Sequence, residues 1–589
     1  MKRKLKTLER YFYFFFHTKK VQIFRRFVSL FLRPLSYIFI QNSKYRVENN
    51  KINYFQITLN DSVNQTTDIL NNQFTFLNNN FSFKNDVEWA NNEQSSLWNF
   101  HLNYFDYLND LIILYKTKQQ EDLLLKGQSL VQEWINCSNR YNTVMWAPYT
   151  ISLRLLNWIS FYSYLIEYKH IDSVPQTVLV SIRKQVRYLK MNLEHDVRGN
   201  HLFENLKTII LSEYFLDNIG LVNKYIKKIN RALKKQVLMD GCHFEKSISY
   251  HIIVLNGILD VLSIIDFNLD SVYTLKKYAS IMLEFYNRIR YTDVDYPLFN
   301  DSNYTMTDKI TGNVFKTKSN LMLNESHLIV KRLKSASNYF VYHNQRLRLT
   351  MDLGNLGSNY LLAHSHNDIF NFELLVDNQK VITDTGVFEY ENSNLRHYSR
   401  STLAHNTLQV NGFEQSDIWS SFRNGYRPTR FITNIEEKKN YKLFKGKYKY
   451  KNKYTHERSF YITTNNTIVI LDNVTSKKKY SLNSHLHFAP EVKIVFHEDN
   501  IEVHSHTLKL YLYVIDQGKY LDNENITVFN SNYFPYFGTE IKRKSLVINS
   551  KSRKMGYVIS LAKIIDINYD GMQLSLKYEN GKYEDLETL

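Results

Sequence analysis

The sequence is poor in the residues that punctuate or staple a chain: 2 cysteines, 7 prolines and 17 glycines in 589 residues. Cys137 and Cys242 stand far apart, so neither a disulfide framework nor a cysteine-based metal site follows from them. Scarce proline and glycine exclude a disordered chain and one that is turn-dense β structure throughout. A long uninterrupted apolar run is also missing. Residues 21–40 are apolar but broken by Arg25, Arg26 and Arg33, charges that a membrane span would have to bury. The upstream run "YFYFFF" is too short for the core of a cleavable export signal, and no small-residue cleavage site follows it. Residues 1–45 therefore read as a basic, aromatic arm. It either docks as a helix on the next domain or makes a peripheral contact with an anionic membrane surface. A cytoplasmic or membrane-peripheral location is expected over an exported one.

What the chain does have is apolar bulk and positive charge. Hydrophobic residues make up 43% and aromatic residues 15%, enough for sizeable cores, and the length favours two or more domains. The formal charge of +18 suits an acidic partner: nucleic acid, anionic lipid or an anionic polysaccharide. No nucleic-acid-binding motif is present, so no nucleic-acid partner is expected.

The hydrophobic period divides the chain. From about residue 96, segments such as "LWNFHLNYFDYLNDLIILY" and "ENLKTIILSEYFLDNI" place apolar residues three and four apart, the mark of amphipathic helices. Six or more follow through about residue 290, which predicts a bundle, a solenoid or an (α/α) toroid. No fixed-period repeat supports the solenoid. After about residue 335 the period becomes two, and segments such as "NFELLVDNQKVITDTG" read as strands of a β-sandwich, with "DNQ", "TNN" and "VNG" as hairpin tips. The expected domains are the arm at 1–45, a helical domain at 46–330 and a sandwich at 331–589. Residues 96–320 are predicted mainly helical and 335–589 mainly strand.

Three constellations could carry chemistry. In "RGNHLFENLKTII", Asn200 is a candidate helix cap, and His201 and Glu204 share a helix face. Taken alone, the segment is better explained by a simple cap with a surface His–Glu pair. In "SISYHIIVLNGILD", Tyr250 opens an apolar helix and could serve the core alone. In "LLAHSHNDIFNFELLV", His364 and His366 would share one face of a strand. They suit metal ligands, a proton-transfer group beside a ligand, or two polar side chains on a solvated face. Asp384 and His405 follow downstream, and two histidines with a carboxylate suit zinc with an open position.

Taken together, "SLWNFHLNYFDYL", "WAPYTISLRLLNWI", "GNHLFEN", "SISYH" and "HSHNDIFNFELLVDNQKVITDTG" followed by "YSRSTLAHNTLQVNG" resemble the heparinase II/III-like polysaccharide lyases. The resemblance implies an incomplete N-terminal (α/α) toroid, a C-terminal antiparallel β-sandwich and an active site in the cleft between them. It implies β-elimination on a uronic-acid-containing acidic polysaccharide, in degradation or in a surface-polysaccharide production pathway. By the same resemblance Asn200 and His201 meet the substrate carboxylate, Tyr250 protonates the leaving oxygen and His364 is a candidate base. His366, Asp384 and His405 would hold a mainly structural Zn²⁺. Arg400 and Glu204 are candidates for substrate contact and for support of His201. Basic residues around the cleft are expected to attract the polyanion. Two other readings compete: a non-catalytic carbohydrate-binding or assembly component, and a glycoside hydrolase. The hydrolase would need two carboxylates across a cleft, whereas these motifs are rich in His, Asn and Tyr.

Overall fold

The computed structural model describes residues 2–45, 52–57, 69–265, 270–292, 294–306, 335–516, 519–520 and 525–588. The expected domain boundary near 320–338 falls mostly outside these residues.

Two helices form the arm, α1 (Lys2–His17) and α2 (Lys20–Gln41). A short hairpin, Gln73–Phe76 with Asn79–Ser82, precedes the helical domain. The domain then runs through α3 (Ser96–Tyr104), α4 (Tyr107–Lys118), α5 (Glu121–Cys137), α6 (Pro148–Glu167), α7 (Gln176–Met191), α8 (Gly199–Phe215), α9 (Ile219–Gln236), α10 (Ile248–Ile264) and α11 (Asp270–Ile289). The sequence pattern "LWNFHLNYFDYLNDLIILY" reads as one helix but is two. Phe105 turns left-handed at φ +61 and stacks its ring 5.0 Å from Trp89, which ends α3.

Composition sorts the helices into two layers. α6, α8 and α10 are buried almost all round and pack side by side as the inner layer. α7 and α9 bury one stripe and turn lysines and arginines outward. A helix apolar on every side has to be inside, and one with a single apolar stripe has to cover it. The result is the incomplete (α/α) toroid.

The remaining strands are all antiparallel. A 9-stranded sheet (first strand Phe431–Glu437) faces 4-stranded sheets built from 339–382 and from 408–410, 482–487, 526–533 and 541–550. Their shared core holds residues such as Phe372, Leu374, Phe460, Ile470 and Leu546. A 3-stranded C-terminal sheet, 564–587, covers the other face of the large sheet through Leu574, Leu576 and Val469. All three expected hairpin tips are turns. Asp377 and Asn378, Asn466, and Asn411 with Gly412 take positive φ there, as tight hairpins require.

One charge pair lies deep in the sandwich. Arg458 donates to both oxygens of Asp472, at 2.8 and 2.7 Å, and to the carbonyls of Phe370 and Asn406. Burial opposes the charge on Asp472, but Arg458 outweighs it and holds the carboxyl down at about 2. This stabilisation is present above the unfolded carboxylate value of about 4 and is lost as pH falls towards 2. Arg458→Ala would leave the Asp472 charge with His456 alone, 2.7 Å away, at a cost of about 3–5 kcal/mol. The expected outcome is a clear fall in melting temperature at pH 7 that shrinks towards pH 2, read by circular dichroism.

Candidate active site

A cavity of about 1730 Å³ lies between the two halves. Its walls come from α2, α3, α6, α8 and α10 on one side and from the 359–364, 390–392 and 419–427 segments on the other.

The N-terminus of α8 opens onto this cavity. Arg198 at φ +66 and Gly199 at φ +54 swing the chain sharply into the helix. A Cβ on Gly199 would lie 1.9 Å from Glu245 Oε1, so only glycine fits. Asn200 sits in the first turn and lines the cavity; the expected cap is absent, because the helix has already begun at Gly199. His201 lies against the Tyr149 ring, centroids 4.3 Å apart, with Nδ1 3.2 Å from Glu194 Oε1. Asn205 fixes that carboxylate, donating from Nδ2 to Glu194 Oε2 at 3.1 Å and accepting the Glu194 N–H at 3.0 Å. Burial would lower the His201 pKa, but the Glu194 charge outweighs it and raises the pKa above its ordinary value. Glu204 also lines the cavity, but it pairs with Lys207 at 2.7 Å and does not support His201. The expected support comes instead from Glu194, outside the helix.

α10 supplies the second group. Ser247 caps it, its Oγ accepting the Tyr250 N–H, and the phenol enters the cavity from the first turn. Tyr250 stacks on the His364 imidazole at 3.7 Å between centroids, and its hydroxyl donates to that of Tyr390 at 3.2 Å. Burial, with Tyr390 and Asp301 nearby, pushes the phenol well above its ordinary pKa, so it holds its proton.

The segment carrying His364 and His366 is a loop between the strands Leu347–Asp352 and Phe372–Val376, not the strand its alternation predicts. Both imidazoles instead reach one carboxylate. Asp301 Oδ2 lies 2.9 Å from His364 Nδ1, and Oδ1 lies 2.7 Å from His366 Nε2. Arg396, from α12 (Asn394–Ser399), forks onto the same two oxygens. Burial opposes the Asp301 charge, but Arg396 and the two imidazoles pull its pKa well below the ordinary value. With Nδ1 engaged, His364 is left with Nε2 on a ring that lines the cavity.

The far side of His366 meets the expected metal residues. His405 Nδ1 lies 2.7 Å from Asp384 Oδ1, and the His366 and His405 rings are 5.3 Å apart. His366 Nδ1, Asp384 Oδ2 and His405 Nε2 are all buried with no hydrogen-bond partner among the described residues. Unpartnered buried imidazole and carboxylate atoms suit a cation such as zinc. The ligand atoms that gather within 4.8 Å of one another belong to Asp384, His405 and Asp368, and the expected ligand His366 stands outside that group. Nothing in the sequence pattern singles out Asp368.

Arg400 needs correction. It is buried and does not line the cavity. Its guanidinium is spent on the carbonyls of Leu362, Ser365, Ser420 and Ser421, which pins two cavity loops. The expected basic rim is also mixed: Arg26, Arg33, Lys207, Arg423 and Arg427 share the lining with acids such as Glu194, Glu204, Glu245 and Asp196. The net positive charge is not concentrated here. Besides Asp368, the residues missed in the sequence are Glu194, Asp301, Tyr390 and Arg396. Each stands far in sequence or outside any regular pattern relative to the group it orients.

Two family models match this chain: the one described as Heparinase II/III N-terminus over residues 15–328 and the one described as Heparinase II/III-like, C-terminal over 332–566. A heparin-sulfate lyase of Bacteroides stercoris is 23% identical over 320 residues, 49% of this chain and 46% of that protein. One of Bacteroides thetaiotaomicron is 23% identical over 351 residues, 50% and 49% of the two chains. The matched region thus spans about half the length of these relatives. Among solved structures, a heparinase III crystal structure superposes with a TM-score of 0.70 at 17% identity, over 95% of both chains. The heparan sulfate lyase HepC of Pedobacter heparinus gives 0.57 at 15% identity, over 96% of this chain and 94% of that one. At these identities the structures establish the shared fold.

The Glu194–His201 pair generates a pH prediction. A histidine whose folded pKa is raised contributes stability that is complete below the unfolded value of about 6.5 and is lost as pH rises through the folded pKa. Glu194→Gln removes the charge that raises it and leaves the burial that lowers it. NMR titration of His201 should show its pKa falling in Glu194→Gln. An unchanged pKa would show that Glu194 does not govern His201.

Proposed function

This chain belongs to the heparinase II/III-like family, and we propose that it is a polysaccharide lyase cleaving a uronic-acid-containing acidic polysaccharide by β-elimination. One observation carries the reading. A phenol held protonated stacks on an imidazole fixed by a carboxylate, in the cavity that the α8 N-terminus also enters.

Elimination needs no water. A base takes the proton at C5, its electron pair forms the C4–C5 double bond, and the bond from C4 to the glycosidic oxygen breaks. The developing charge spreads into the uronate carboxylate and must be neutralised there. The first turn of α8 is suited to neutralise it, because helix N–H groups attract anions, Asn200 adds an amide donor and His201 adds a proton held by Glu194. His364 Nε2 is the base, with Asp301 fixing its orientation through Nδ1. Tyr250 gives its proton to the departing oxygen.

The metal of this reading is zinc, held by Asp384, His405 and Asp368, with His366 beside them. When bound it supplies positive charge to a buried acidic cluster and ties the 361–371 loop to the sandwich. This chain's residues carry out the elimination, and the metal adds to folding free energy.

Tyr250→Phe should slow elimination by roughly 10²–10⁴ while barely moving the melting temperature, since one hydrogen bond is worth about 1 kcal/mol net. Asn200→Ala should also be slow. The measurement is the ultraviolet absorbance of unsaturated product across a panel of acidic polysaccharides, beginning with the heparin sulfate named for the relatives. Near-normal turnover by Tyr250→Phe would overturn its role. His405→Ala should lose bound metal and melting temperature together, read by elemental analysis and calorimetry. Equal metal content in both proteins would remove His405 from the site.

A further inference from the structure

The arm helix α2 is amphipathic with its faces reversed. Its polar residues point inward, where Ile23, Phe27 and Leu30 beside them also line the cavity. Gln22 Nε2 donates to the Asp196 carbonyl at 3.2 Å, Tyr37 donates to the Ser138 carbonyl at 2.9 Å, and Arg26 and Arg33 line the cavity. Its apolar face points out. Phe24, Phe31, Leu35 and Ile38 share one side of the helix and are 65%, 59%, 59% and 54% exposed. Phe12 and Phe16 continue the surface on α1, at 63% and 71%. Fifteen of the exposed large hydrophobic side chains among the described residues fall on these two helices, and ten of them lie outside the cavity lining. Scattered exposed leucines need no explanation, whereas a contiguous aromatic ridge does.

The arm is also tied at both ends. Arg10 forks onto Asp417 at 2.9–3.1 Å, and Tyr13 packs edge-on against Tyr426 at 5.3 Å, which holds α1 to the sandwich half. Lys184 donates to Gln41 at 2.9 Å, and the Arg187 guanidinium lies 5.0 Å from the Phe39 ring centre, which holds α2 to the helical half. The ridge is therefore presented on a bridge across the cleft and is not a loose tail.

Its charge says what covers it. Residues 1–41 carry ten lysines and arginines against one acid, Glu9. Lys19, Lys20 and Arg25 are exposed, and Arg187 adds a cation beside the ridge. No helix among the described residues is long and apolar enough to cross a membrane. An aromatic, apolar face edged with cations matches the boundary between acyl chains and anionic headgroups.

We propose that the outward face of α1 and α2 docks in the plane of an anionic lipid surface. The inner face of α2 is at the same time a wall of the cavity, so docking holds the cleft about one helix diameter, ~10 Å, from the headgroups. A polymer entering there is met at the membrane surface.

The test uses the purified full chain and sedimentation with vesicles of phosphatidylcholine alone or mixed with phosphatidylglycerol. Phe12, Phe24 and Phe31 are exposed and lie outside the cavity lining. Binding to the mixed vesicles is expected, weakened by salt, and lowered at least about tenfold in the triple variant Phe12→Gln, Phe24→Gln, Phe31→Gln at unchanged melting temperature. No vesicle binding, or equal binding by the triple variant, overturns the proposal. Equal binding to phosphatidylcholine alone overturns its anionic part. Self-association without vesicle binding, abolished in the triple variant, assigns the ridge to a second copy of the chain. Vesicle binding is read without polysaccharide, so its failure leaves the lyase reading untouched.

Discussion

The Asp301 carboxylate, buried between the two halves, is the point on which the site depends. Its oxygens take His364, His366 and both arms of Arg396. Its main chain is tied as well: the carbonyl accepts from Ser247, which caps the helix carrying Tyr250, and its N–H donates to the His364 carbonyl at 3.1 Å. The neighbouring Asn300 accepts the His366 N–H at 2.9 Å. One short segment therefore fixes Tyr250 from the helical half together with His364 and His366 from the sandwich half. A buried carboxylate with no partner would be costly, and this one has more donors than it needs.

The same geometry divides labour between two adjacent histidines. In an extended strand they would share a face and compete for one environment. In the loop they approach Asp301 through different nitrogens, Nδ1 of His364 and Nε2 of His366. The nitrogen left over on His364 belongs to a cavity-lining ring, and the one left over on His366 is buried, on a ring 5.3 Å from that of His405. His201 repeats the arrangement on the opposite wall with Glu194. Each pair fixes which imidazole nitrogen is engaged, and proton transfer requires the other to be placed.

Burial supplies the remaining contrast. The Tyr250 phenol is driven up by burial, while His201, in the same cavity, is driven up by a charge that outweighs burial. Two groups of one cavity are thus shifted the same way by different causes. The arm closes one side of this space with α2, where Gln22, Arg26 and Arg33 stand among Ile23, Phe27 and Leu30.

What the sequence by itself determined follows from local rules. The change of period from 3.6 to two set the order of helical and strand domains, and Asp377–Asn378 and Asn411–Gly412 marked their hairpins because few other residues tolerate positive φ. The motif residues Asn200, His201, Tyr250 and His364 were legible as a set, and all four line one cavity. The tertiary structure alone decided what holds them. Alternation in "LLAHSHND" predicted a strand, but period carries meaning only where the backbone is regular, and here it is a loop. The spacing of His201 and Glu204 predicted a pair, yet Lys207 takes Glu204, and Glu194 reaches His201 from before the helix. Arg400 read as a substrate contact and is instead a buried clasp on four carbonyls. Asp301 had no local signature at all. It stands 63 residues before His364, and a carboxylate's role is set by which donors the fold brings to it, a contact that no pattern along the chain encodes.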